Sequence, residues 1–126
     1  MKYVSFRYRS AVALRVLILL MTGCGTSVRP TPVTITYRPS VFGVGQVVVI
    51  TNSSNHHLYN VTVVGRNFNH VTSASVKAAD HLAPGGSVEV GWMEFENWVP
   101  EPGETIEVYA DKFLTPSVSI VPKIQD

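Results

Sequence analysis

Four histidines, nine acidic side chains and a single cysteine are the groups in this 126-residue chain that could carry chemistry. Zinc needs ligands converging to about 2.0–2.1 Å, usually from spacings such as i, i+2 on one strand face or i, i+4 on a helix. His56 and His57 are adjacent, so in an extended chain their imidazoles point apart, and His70 and His81 fall in other connections. They read as scattered loop histidines, and neither a metal site nor a cofactor is expected. Glu94 and Glu96 have i, i+2 spacing beside Trp92 and Trp98. Paired carboxylates near tryptophans suit glycosidase chemistry or sugar binding. They suit equally a solvated edge, where acids discourage edge-to-edge strand pairing, and that is the expectation adopted. A hydrolase would also need a poised serine or cysteine. The sequence has no Gly-x-Ser-x-Gly elbow and no phosphate-cradling glycine loop, so an enzyme is not expected.

The cysteine is more informative. One cysteine excludes an intrachain disulfide framework and a Cys-rich zinc site. Its setting suggests another role. Residues 1–15 carry Lys2, Arg7, Arg9 and Arg15 and no acid, and Val16 to Met21 is wholly apolar. A basic stretch, a short apolar stretch and small residues before a cut site make up an export signal, expected as a helix within residues 1–23. A membrane-spanning helix would need about 20 mostly apolar residues, and counting back from Met21 meets Arg15 after six. The run Leu20-Met21-Thr22-Gly23-Cys24 resembles the lipobox of bacterial lipoproteins, an aliphatic residue, two small ones and a cysteine, with Met21 where the family usually has Leu. The resemblance implies acylation of Cys24 (the palmitate-type anchor of that family) and cleavage just before it. Several acyl chains, each contributing about 0.8 kcal/mol per buried CH₂, hold a protein on a membrane stably.

Cleavage there changes the electrostatics. The whole chain sums to +1, but residues 24–126 hold six bases against all nine acids, a net charge of −3. Such a domain has no electrostatic reason to seek nucleic acid or anionic lipid. Its contact with the membrane would be the covalent anchor at Cys24.

The elements that must position any site are strands. Residues 24–32, with Pro30 and Pro32, read as an extended tether. The domain is expected over residues 33–126. Val33–Tyr37 is β-branched or aromatic throughout, and Gln46–Thr51 is a continuous apolar run suited to a central strand. Leu58–Val64, Ser73–Ala78, Ser87–Glu94, Thr105–Ala110 and Val118–Val121 follow, separated by clusters such as Asn52-Ser53-Ser54-Asn55, Pro84-Gly85-Gly86 and Pro100-Glu101-Pro102-Gly103. About seven strands at this spacing predict an all-β, antiparallel two-sheet sandwich.

The stretch from Ile50 to Val63, with Asn52-Ser53-Ser54 and Leu58-Tyr59-Asn60-Val61-Thr62-Val63, is followed by Leu82-Ala83-Pro84-Gly85-Gly86-Ser87. Together they resemble bacterial immunoglobulin-like or fibronectin-III-like modules, including the FxLYD-type domains of envelope proteins. The Tyr-Asp strand end of the FxLYD family is absent here. The resemblance implies a fold and an extracytoplasmic setting, on the periplasmic side or at the outer membrane, and no catalytic residues.

For binding, the candidates are Met93, Phe95 and Trp98. If the strand through Trp92 continues, Met93 and Phe95 take the parity opposite to the core and form, with Trp98, an exposed apolar interaction patch. A bulge near Glu94 would instead turn Phe95 inward. The function expected is a lipid-anchored, non-catalytic structural or protein-interaction module with an envelope protein as partner. The alternative is a glycan-binding module using Trp98, Phe95 or Tyr109 as a stacking surface.

Overall fold

The computed structural model describes residues 27–41 and 45–124. Cys24, the export signal and the start of the tether lie outside them. The described chain is all-β, with nine strands: β1 (Ser27–Pro30), β2 (Val33–Pro39), β3 (Gln46–Asn52), β4 (Leu58–Arg66), β5 (Thr72–Leu82), β6 (Ser87–Val90), β7 (Thr105–Tyr109), β8 (Phe113–Thr115) and β9 (Ser117–Ile120). β2-β3-β6 form one antiparallel sheet and β5-β4-β7-β9 another, while β1 and β8 pair in parallel. Among the described residues no helix is long and apolar enough to cross a membrane.

Alternation decides which side chains go inward. In the three-stranded sheet Tyr37, Val48 and Val90 are in register, as are Ile35, Ile50 and Val88. In the four-stranded sheet Val63 opposes Val108 and Gly65 opposes Ile106. Val48, Ile50, Val61, Val63, Val90, Ile106 and Val108 are buried and belong to one cluster fed by both sheets, an arrangement compatible with a sandwich. At about 25 cal/mol per Å² of apolar surface, burial of such side chains is the main favourable term holding the sheets together. Two polar links also connect the sheet regions. The Tyr37 hydroxyl on β2 donates to Ser119 Oγ on β9 at 2.9 Å, and Gln46 Nε2 donates to the Pro122 carbonyl at 2.9 Å.

The expected apolar run proves to be β3, the central strand of its sheet and buried along most of its length. Two turns follow from Pro-Gly pairs. In Ala83–Gly86 and Glu101–Glu104 the fourth amide donates to the first carbonyl (2.8 and 3.0 Å), with Gly85 and Gly103 at φ 75° and 93°. Proline at the second turn position and a positive-φ glycine at the third are what a type II turn requires.

Three local readings need correction. Ser27–Pro30, expected within an extended tether, runs beside β8 as β1, and buried Thr31 bonds the Thr115 carbonyl through both its amide (2.9 Å) and its hydroxyl (3.1 Å). β5 is eleven residues long where a weak six-residue strand was expected. β6 stops at Val90 instead of reaching Glu94, because the chain coils immediately afterwards.

Candidate functional site

The coil after β6 builds the site. Glu94 Oε2 accepts a hydrogen bond from the Gly91 amide at 3.0 Å, and the Gly91 carbonyl accepts from the Phe95 amide at 3.1 Å. This reach of a glutamate back to the amide three residues earlier is the glutamate half of a capping box. The coil ends at Glu96 and Asn97, both at positive φ (56° and 72°). Asparagine tolerates that region because its short amide bonds locally, whereas glutamate has no such compensation. Glu94 and Glu96 therefore do not share a strand face, which their spacing alone would have allowed.

The coil separates the three residues expected in one patch. Met93 is 72% exposed, Phe95 is 3% exposed within the core, and Trp98 is half-buried against that core. Phe95 and Trp98 meet edge to face, with centroids 5.1 Å apart and planes at 88°, a favoured aromatic geometry. Met93, Phe95 and Trp98 thus do not form one exposed patch, and Phe95 turns inward near Glu94, as the alternative to that patch supposes. A helical turn, unlike a strand, sends residues two apart to different sides, so Phe95 turns inward while Met93 stays outside. Tyr109, named as a stacking residue, is also engaged. Its hydroxyl donates to Glu107 Oε1 at 2.9 Å, and burial followed by that contact raises its pKa.

Met93 instead belongs to a recess on the outer face of the three-stranded sheet. Arg38, Val47, Val49 and Glu89 face outward there, since Arg38 pairs with Val47 and Val49 with Glu89. Arg38 reaches across β3 to Glu89 with two bonds, Nε to Oε1 at 3.0 Å and Nη2 to Oε2 at 2.6 Å. The contact holds the Glu89 carboxyl below the usual carboxylate range and raises the guanidinium. Trp92, Met93 and Glu94 from the coil, with Val41, complete an open recess of about 190 Å³ around this pair. Val47 is buried beneath it although it faces away from the core. A larger recess of about 390 Å³ lies beside β2, but two of its polar groups, Tyr37 and Gln46, are already bonded to Ser119 and Pro122.

Comparison with family models, with curated proteins and with solved structures gives no match. The recess offers a fixed cation–anion pair, an indole and a flexible thioether. Methionine adapts to irregular partners, and a bidentate Arg–carboxylate pair gives direction. Both carboxylates at the recess are engaged, Glu89 by Arg38 and Glu94 by the Gly91 amide.

Two clusters elsewhere were not foreseen. On the outer face of the four-stranded sheet, Arg66 bonds Glu107 (2.8 Å) and Thr72 Oγ1 (2.9 Å). The contact with Glu107 leads the rise in the Arg66 pKa. At the open end of the β4–β5 hairpin, His57 and His81 meet, so those two are not scattered. His57 lies just before β4 and His81 within β5, and neither alternation nor i, i+4 spacing relates residues 24 positions apart. The single available sign was the prospect of a hairpin over those two strands.

Proposed function

We propose that this protein is a small lipid-anchored module of a bacterial cell envelope whose immunoglobulin-like domain docks another envelope protein without catalysis. The observation that carries the docking reading is the outer-face recess, where an exposed Met93 and a half-buried Trp92 flank the Arg38–Glu89 pair. Since both nearby carboxylates are bound in structural contacts, the recess supports recognition better than acid–base work, which needs a group free to exchange a proton.

The strand order supports the fibronectin-III-like form of the fold. Constant-type immunoglobulin domains place the fourth strand beside the fifth. Setting aside β1 and β8, the fourth of the seven remaining strands is β5, and it pairs instead with β4. The anchor reading rests on the lipobox-like run ending at Cys24, and the start of β1 at Ser27 sharpens it. Three residues can span at most about 3.3–3.6 Å each, so an acylated cysteine would hold the domain within about 11 Å, closer than a nine-residue tether requires. The domain is extracytoplasmic, on the periplasmic side or at the outer membrane.

A second reading, glycan binding, is favoured by Trp92 beside the bidentate Arg38–Glu89 pair, since an aromatic face with directed polar groups suits a sugar. A photo-crosslinker at position 93, tested in membranes, separates the two. The protein reading expects a discrete crosslinked protein that disappears with Arg38→Ala. Absence of any such product, with Trp92 fluorescence quenched by cell-wall glycan fragments, would favour the sugar. Fatty-acid labelling of Cys24→Ser tests the anchor, and labelling equal to wild type would refute it.

A further inference from the structure

We propose that His57 and His81 form a two-imidazole site for a borderline divalent transition-metal ion, Cu²⁺ or Zn²⁺, on the surface of the β4–β5 hairpin. His57 Nδ1 and His81 Nε2 stand 2.5 Å apart, and the rings are nearly coplanar, with planes at 14° and centroids 4.8 Å apart, so the two nitrogens meet edge to edge. At that separation at most one of the two nitrogens carries a proton, so at least one lone pair faces the other ring. A metal bonded to both at about 2.0–2.1 Å, with an angle between square and tetrahedral, sets the nitrogens roughly 2.9–3.4 Å apart. The nitrogens therefore need to separate by less than about 1 Å while the rings turn so that both lone pairs meet at the ion, and both side chains are exposed, which leaves them room to do so.

The approach of the two rings is built from below. Leu58, the residue after His57, and Leu82, the residue after His81, are both buried and in register across the hairpin. The Asn52 side chain, 1% exposed, donates to the His56 carbonyl at 2.7 Å and to the Leu82 carbonyl at 3.0 Å. One buried amide thus clamps the residue before one histidine to the residue after the other. Its oxygen accepts from the amide (3.0 Å) and the hydroxyl (2.7 Å) of Ser54, which fixes the amide's orientation. Tyr59 lies directly across from His81 and stacks on its ring, with centroids 5.2 Å apart, orienting the imidazole plane. Locked supporting residues beneath exposed ligands are what a preorganised metal site requires.

Imidazole is a good ligand for copper and zinc, and affinity for such sites rises toward Cu²⁺. Among the described residues no set of three His, Cys, Asp or Glu side chains converges on a metal position. The remaining coordination positions belong to water or to an incoming ligand, so the ion is exchangeable and the site open.

The test titrates the full chain with Cu²⁺ and with Zn²⁺ by calorimetry, and records the electron paramagnetic resonance of the Cu²⁺ form. One ion per chain is expected, with Cu²⁺ bound more tightly and with two-nitrogen coupling in its spectrum. His57→Ala and His81→Ala should each weaken binding by roughly tenfold or more. His56→Ala and His70→Ala should leave it unchanged, and circular dichroism should show all four folded. Absence of binding by the wild-type chain overturns the proposal. So does binding that survives both His57→Ala and His81→Ala, or that is lost with His56 or His70 instead.

Discussion

Trp98 occupies the space that Gly65 leaves by having no side chain. A carbon added at Gly65 would lie 2.3 Å from both Cη2 and Cζ3 of the indole. Gly65 is buried in β4, opposite Ile106, so the indole enters the core side of the four-stranded sheet next to Phe95. Overpacking of this kind costs about 1–3 kcal/mol, and Gly65→Ala should lower the urea midpoint accordingly. Trp98→Ala alone should also destabilise, by lost burial and an unfilled space. In the double variant the added methyl has room, so the two effects should sum to less than their separate values. Full additivity in urea melts would show that the indole and the glycine are not coupled.

Asn52 predicts a second large effect from a polar residue. Its amide supplies the donors for the His56 and Leu82 carbonyls and the acceptor for Ser54. Replacing it by alanine leaves these groups without their partner, at about 1–3 kcal/mol for each buried one. Asn52→Asp should do at least as much harm at neutral pH, because both donors become a charged acceptor facing two carbonyls. Thermal melts of the two variants check this ordering. A variant Asn52→Asp as stable as wild type would exclude the clamp.

How far the sequence foretold these relations depends on whether they are local. β2, β3, β4 and β7 declare themselves through alternation or an unbroken β-branched run, and the turns before β6 and β7 through Pro-Gly pairs. These signals act within a few residues, so a single chain carries them. β1 does not declare itself. Ser27–Pro30 has a proline and no alternation, and it is a strand because Phe113–Thr115 lies alongside it. β5 is weakly marked because an edge strand rich in Ala, Ser and Thr has little apolar pattern to show. The coil after Val90 was hidden for another reason: Trp92 and Phe95 have strong β propensity, and a single Glu94 contact to the Gly91 amide helps to reverse it. The recess inherits that difficulty, since Arg38 and Glu89 are joined only by sheet register across β3.

The coil makes Met93 and Phe95 opposite in their response to truncation. Phe95→Ala removes a buried ring that also meets Trp98, and should cost about 3–5 kcal/mol. Met93→Ala, at an exposed position, should change stability by less than about 0.5 kcal/mol. Paired denaturant melts check this. A loss of docking in Met93→Ala would then report on the recess and not on folding, whereas Phe95→Ala cannot be read that way.

The Arg38–Glu89 contact predicts a response to acid. Glu89 is held below the usual carboxylate range in the folded chain, so its contribution is present above the ordinary value of 4.5. That contribution is lost as pH falls through the lowered folded value. Both side chains are solvated, so the contribution is small and screened by salt. Glu89→Gln should therefore leave the neutral-pH melting temperature nearly unchanged and flatten part of the acid limb, most visibly at low salt. An acid limb identical to wild type at low salt would show that the pair does not form in solution.

Tyr37 predicts the opposite limb. Its hydroxyl joins β2 to Ser119 of β9, and burial raises its pKa above the ordinary 10.0, outweighing the lowering by the Ser119 hydroxyl. Only the unfolded chain then ionises this phenol just above pH 10, and the unfolded state binds fewer protons than the folded one. Stability from Tyr37 is thus complete below the unfolded value and falls as pH rises from there through the raised folded value. Tyr37→Phe should cost about 1 kcal/mol at neutral pH through the lost hydrogen bond. It should also make the alkaline loss shallower, leaving the part due to Tyr109, whose pKa is likewise raised. Urea melts at stepped pH above 9, with phenolate absorbance followed in parallel, separate the two tyrosines. If wild type and Tyr37→Phe lose stability in parallel across that range, partial burial beside Ser119 does not raise the pKa of this phenol.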